Sequence, residues 1–180
     1  MTSDQMLAYL TAKGEEWVVE QRALHHPVAR PLGLQLLSDL QAFFGEDVLD
    51  AARFASVGLL PNPGFYRELL AMGQSIPLDF SLMHGITFVD TVLLSERFRS
   101  SWSPALYFHE LVHVVQYQIL GAAGFMKRYV RGWAENGFRY EAIPLEKDAY
   151  ELQERYQTRP KTLFSVRQIV SQRLMQRMST

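Results

Sequence analysis

The sequence predicts one α+β domain, predominantly helical, with a small and mainly antiparallel sheet beside one central helix. Apolar residues recur at helical spacing along most of the 180 residues, between breaks at glycine and proline. One stretch, Gly85-Ile86-Thr87-Phe88-Val89-Asp90-Thr91-Val92-Leu93-Leu94, is instead rich in β-branched side chains. With 48% apolar and 21% charged residues, the chain is long enough and apolar enough to bury one core.

Residues 4–20 read as a helix with Met6, Leu7, Leu10, Trp17 and Val18 as its apolar members and Gly14 as a weak point. The segment Leu24-His25-His26-Pro27 breaks that pattern, and its two histidines read as exposed loop residues, because adjacent side chains point apart. Pro31 opens a second helix through Phe44, stopped by Gly45. Residues 46–60 fit either a continued helix or a strand near 53–58. Pro61-Asn62-Pro63-Gly64 is a firm break, and a short helix over 64–72 follows it. The strand at 86–94 has Asp90 on an otherwise apolar face, which suits a sheet edge. Ser103 caps the next helix and Pro104 takes its first position; it runs to about Leu120 and ends at Gly121. Further helices fall at 123–135, at 144–157 behind Pro144, and at 162–178 beyond the break at Pro160.

Several function classes are excluded or disfavoured by composition. The net charge of -1 gives no global field for nucleic acid, so no nucleic-acid partner is expected. There are no cysteines, so disulfides and thiolate metal sites are absent, and any metal must be held by His, Asp, Glu or backbone. No run approaches the apolar length of a membrane span, and MTSDQMLAYLTAKGEEW lacks the basic start and apolar run of a signal peptide. A cytoplasmic location is the corresponding expectation.

One constellation carries chemistry. Tyr107-Phe108-His109-Glu110-Leu111-Val112-His113 contains HExxH inside the helix that Ser103 opens. Residues four apart lie on one helix face, so both imidazoles can reach one ion. Glu110 lies about 100° around the helix from His109, placed to reach a water on that ion without ligating it. The plain alternative, three polar residues on a wet helix face, fits poorly with Phe108, Leu111, Val112, Val114 and Val115 around them.

A catalytic zinc usually takes three protein ligands and keeps one open position. The run after His113, VVQYQILGAAG, holds no third histidine. A carboxylate from Tyr140-Glu141-Ala142-Ile143-Pro144-Leu145-Glu146-Lys147-Asp148 is the other solution. Glu146, in the first turn of the next helix, is favoured; Glu141 in the preceding loop is second, and Asp148 points elsewhere. A carboxylate at a helix N-terminus is also stabilised by the dipole alone, which is the structural account of Glu146. Donors for a developing oxyanion include Tyr150, Tyr140, Tyr129, Arg139 and His84, with nothing to choose among them.

HELVHVVQY followed about thirty residues later by EAIPLEKDAYE resembles the gluzincin group of zinc metallopeptidases, in particular small bacterial members reduced to a minimal core. The resemblance covers residues 84–157. The expected division of the chain is a zincin-like core at 76–158, a helical segment at 1–75, outside the resemblance, packed on it, and a basic helix at 159–180. The resemblance implies one Zn2+ on His109, His113 and Glu146, Glu110 as general base, and hydrolysis of a peptide lying extended along strand 86–94. Many gluzincins have Asp four residues after the ligand Glu, orienting the first His; Tyr150 stands there, with a catalytic or orienting role expected for it. That substitution keeps open a metal-binding module that holds peptides without cutting them; a self-covered protease is a third reading. The last segment carries Arg159, Lys161, Arg167, Arg173 and Arg177 and no acid, with Leu163, Val166, Val170 and Leu174 on one face. It fits a helix packed on its own domain, or one contacting a partner or membrane surface.

Overall fold

The structure, a computed structural model, describes residues 2–75, 78–159 and 162–177. Pro160, Lys161 and residue 178, which enter the expectations above, lie outside the described residues. The chain order is α1 (Ser3–His25), α2 (Leu34–Leu40), α3 (Glu46–Ala51), β1 (Arg53–Val57), α4 (Tyr66–Ala71), β2 (Gly85–Phe88), β3 (Thr91–Ser95), α5 (Pro104–Glu135), α6 (Pro144–Thr158) and α7 (Val166–Gln176). The result is an α+β fold, mostly helical, with one three-stranded sheet.

α1 starts at a reciprocal cap between Thr2 and Gln5 and runs through Gly14 to His25, five residues beyond the expected end. The histidines there are half-buried rather than exposed. His26 Nδ1 lies 2.9 Å from Thr91 Oγ1 and 3.3 Å from Asp90 Oδ1, so tertiary contact draws it inward. α2 begins three residues after Pro31, and the ambiguous 46–60 stretch divides into α3 and β1.

The sheet order is β1-β3-β2, with β1 parallel and β2 antiparallel to β3. It is therefore mixed, not mainly antiparallel. The long connection from β1 to β3 passes through α4 and β2, the length of crossover a parallel pair requires. The single strand expected at 86–94 is a hairpin. Phe88 pairs with Thr91, and Val89-Asp90 form the turn. Asp90 is thus a turn residue, and Arg22 grips it with two hydrogen bonds of 2.7 Å. β3 is central, so of the hairpin's two strands β2 is the one at a sheet edge, with β1 at the other edge.

α5 is capped by Ser103, whose hydroxyl accepts from the Leu106 N–H, and Pro104 fills its first turn. Gly121, at φ 67 and ψ 171, breaks it where the sequence expects one helix to stop and another to start. Its first half is buried all round: Phe108, Leu111, Val112, Val114 and Val115 are fully covered. α1, α6, α7 and β2 pack on α5. Each such Phe, Leu or Val contributes about 1.5–3 kcal/mol by leaving water. α7 closes the far side with Val166, Val170 and Leu174, whereas Leu163 is exposed, because α7 begins only at Val166. Its basic side chains meet this chain's own acids: Arg173 and Arg177 hold Asp148, and Arg167 binds Asp47 and Gln118. No described helix is long and apolar enough to cross a membrane.

Candidate metal centre

The central helix delivers His109, Glu110 and His113 into the interior, each no more than 5% exposed. α6 enters from the opposite side behind Pro144 and brings Glu146, 3% exposed, in its first turn. His109 Nε2 and His113 Nε2 are 3.2 Å apart. Glu146 Oε2 lies 3.4 Å from the first and 3.3 Å from the second. The three atoms make a nearly equilateral triangle. Around a tetrahedral ion with ligands at about 2.0–2.1 Å, neighbouring ligand atoms lie about 3.3–3.4 Å apart, so the triangle has the dimensions of one face of such a shell. Glu146 Oε2 is buried and has no hydrogen-bond partner among the described residues. The cluster could therefore hold a metal ion.

Of the carboxylates expected near the site, Glu146 alone is in this triangle. Glu141 is exposed in the preceding loop, and Asp148 faces α7. Glu110 is not part of it either. Its Oε2 accepts a 2.7 Å hydrogen bond from Thr87 on β2. Its Oε1 sits against Gly85, where any Cβ would come within 2.6 Å of that oxygen. Gly85 and Thr87 together hold the carboxylate beside the histidines, and sequence reading passed over both. Glycine next to the β-branched stretch was the available signal.

The histidines are oriented by glutamines. His109 Nδ1 is 3.0 Å from Gln153 Oε1, and His113 Nδ1 is 2.8 Å from Gln116 Oε1. The Tyr150 ring packs against the His109 imidazole at 4.5 Å between centroids, and the turn beyond it supplies the polar partner of Nδ1. Both glutamines fall at helical spacing, three residues after His113 and seven after Glu146, a regularity visible in the sequence but not used there.

Burial by itself would drive both charges out of the cluster; mutual attraction reverses this. Burial raises the Glu146 pKa, but His113 and His109 outweigh it and hold the carboxyl well below its usual range. Burial lowers His113, but Glu146 outweighs it and raises the imidazole to about 9. Burial, followed by the nearby Glu146 charge, pushes Tyr150 up to about 12. Tyr129 also rises well above the phenol range through burial and Glu146, whose Oε1 accepts its hydroxyl hydrogen bond at 3.0 Å.

Two spaces meet at Glu110. An open cleft of about 310 Å³ is lined by His84, Gly85, His109, Glu110, Tyr140 and Tyr150 among others. A smaller space of about 50 Å³ shares Gly85, Glu110 and Tyr140 with it and is also walled by Trp17, Val18, Phe88, His113 and Glu146. Of the five expected oxyanion donors, Tyr140, Tyr150 and His84 face the cleft. Tyr129 is committed to Glu146, and Arg139 lies on a different surface. Comparison with protein-family models, with curated proteins and with solved structures finds no match to this chain.

Proposed function

We propose that the chain is a zinc-dependent hydrolase of peptide-like amides, with His109, His113 and Glu146 as ligands and Glu110 as general base. The observation that carries this reading is the triangle of ligand atoms at 3.2, 3.3 and 3.4 Å, next to a carboxylate outside it. Two imidazoles and one carboxylate are a donor set that suits zinc. Bound zinc would polarise a substrate carbonyl and acidify a water.

The chain's own groups supply the rest. Glu110 is buried, lines both spaces and has one oxygen fixed by Thr87. Its carboxylate takes a proton from the attacking water and returns it to the leaving nitrogen. Thr87 restricts it to one orientation, which preserves the geometry the transfer needs. β2 is an edge strand and carries Gly85 and Thr87, so a substrate backbone laid beside its half-buried start, residues 85–86, would pass Glu110. This is the part of the expected strand 86–94 that remains available. Tyr150 and Tyr140, both facing the cleft, are placed to donate toward a developing oxyanion.

Glu110→Gln keeps shape and removes basicity. The expected outcome is a folded protein with a full metal content and roughly two to four orders of magnitude less hydrolysis of a responsive peptide. Glu146→Ala should instead be metal-poor. Metal content is read by elemental analysis and cleavage by mass spectrometry of a peptide library. Equal cleavage by wild type and Glu110→Gln overturns the hydrolase reading.

A further inference from the structure

We infer that Gln116 and Gln153 are positioning residues that fix both metal-facing imidazoles in one tautomer through neutral acceptors, and that Gln116 also locks the third ligand's helix to the first two. The inference rests on the metal reading above.

The argument starts at Gln116, which is fully buried. Its Nε2 donates to the Leu145 carbonyl at 2.9 Å. A carbonyl oxygen only accepts, so the amide nitrogen must face Leu145 and the amide oxygen must face His113. That oxygen is 2.8 Å from His113 Nδ1. Nδ1 must then carry the proton, and in the neutral ring Nε2 keeps its lone pair. Nε2 is the atom that faces His109 and Glu146. Leu145 is the residue directly before Glu146. One side chain thus sets the tautomer of a ligand on α5 and anchors the backbone beside a ligand on α6. Glutamate cannot replace it as an anion, because it would offer Leu145 no donor.

Gln153 treats His109 in the same way from α6, with Oε1 at 3.0 Å from Nδ1. It stands one turn beyond Tyr150, beneath which His109 is packed. Its position is half-buried, so a charge is tolerated there. Neither imidazole therefore has a carboxylate behind it. A carboxylate would pull on the Nδ1 proton, make the ring a stronger donor and tighten metal binding. Neutral amides orient the rings without that gain, and leave more positive charge on the ion. The arrangement sacrifices affinity for Lewis acidity.

The test is made on the full chain, with zinc affinity measured by competition with a chelating dye at pH 7. Histidine ring protonation is read by nitrogen-15 NMR of the zinc-loaded protein. Wild type should show both rings protonated at Nδ1. Gln153→Met, which keeps length and removes the acceptor, should weaken zinc binding about tenfold, and Gln153→Glu should bind more tightly than wild type by a similar factor. Gln116→Met should weaken binding by roughly 10–100-fold; if it does not fold, the Gln153 pair still decides. A purely structural role predicts no tightening by Gln153→Glu. Unchanged affinity across the variants, or a zinc-loaded ring protonated at Nε2, overturns the positioning role alone. Wild-type protein that takes up no zinc overturns the metal centre as well.

Discussion

Gly85 shows how one missing side chain can make room for a buried carboxylate, that of Glu110. A methyl at this position would meet Glu110 Oε1 at 2.6 Å and Cδ at 3.0 Å, both far inside contact distance. The carboxylate would have to leave its bond to Thr87. Gly85→Ala should therefore lower kcat by about tenfold or more while leaving zinc content unchanged, since a 1 Å displacement of a catalytic group costs up to about a hundredfold. A loss of zinc in this variant would place Glu110 among the ligands and contradict the division of roles. Asp90 makes a separate prediction. Burial raises its pKa, but the hydrogen bond and charge of Arg22 outweigh burial, so the folded value lies below the ordinary 3.8. Such a group contributes stability that is present above about pH 4 and is lost as pH falls through its folded value. Because Arg22 is 39% exposed, solvent screening limits the pair to about 1 kcal/mol. Arg22→Ala should lose that amount at pH 7 by denaturant unfolding, and the gap from wild type should close in acid below pH 4. A gap of constant size down to pH 2 would mean Arg22 acts by packing instead.

Among the elements, α5 carries the site on its first half and turns at Gly121. The conformation there, φ 67 and ψ 171, belongs to a region open in practice only to glycine. No atom lies within 4 Å of where a Cβ would stand, so a substitution meets no neighbour. Gly121→Ala should then cost about 1–3 kcal/mol from backbone strain alone, measured as a lower unfolding midpoint with an unchanged m value. Stability equal to wild type would show that the break in α5 is not fixed by this residue. The hairpin was the element hardest to read. Val89, at φ 62, occupies a conformation β-branched residues rarely adopt, and Asp90 lies in a run of strand formers. Val89 does not look like a turn residue, and a lone Asp among strand formers, although common in turns, did not break the pattern, so residues 86–94 read as one strand. The turn is held by Arg22 of α1 and His26 just beyond its end, both on Asp90.

Across the whole molecule, the three residues that could hold a metal come from two helices, α5 and α6, whose packing forms much of the core. Zinc that binds only the folded arrangement stabilises it by mass action, about 1.4 kcal/mol for each tenfold of free zinc above its dissociation constant. Calorimetry should show Tm rising with zinc, falling back on chelation, and remaining fixed in Glu146→Ala; a Tm indifferent to zinc in wild type would argue against the centre. The pairing of His109 with His113 was legible because the information is local, whereas Glu146, which meets both in the buried cluster, was expected from the family resemblance. His109 and His113 are four residues apart on a helix announced by Ser103 and Pro104, and Pro144 announces the helix of Glu146. Helical periodicity places such residues on a face without reference to the rest of the chain. Three features were decided only by tertiary structure: the parallel pairing of β1 with β3, the placement of Glu110 by Gly85 and Thr87, and the half-burial of His26 against Thr91. Each joins residues 23 to 65 positions apart. Contacts over such separations depend on how whole elements pack, which no local pattern of residues encodes.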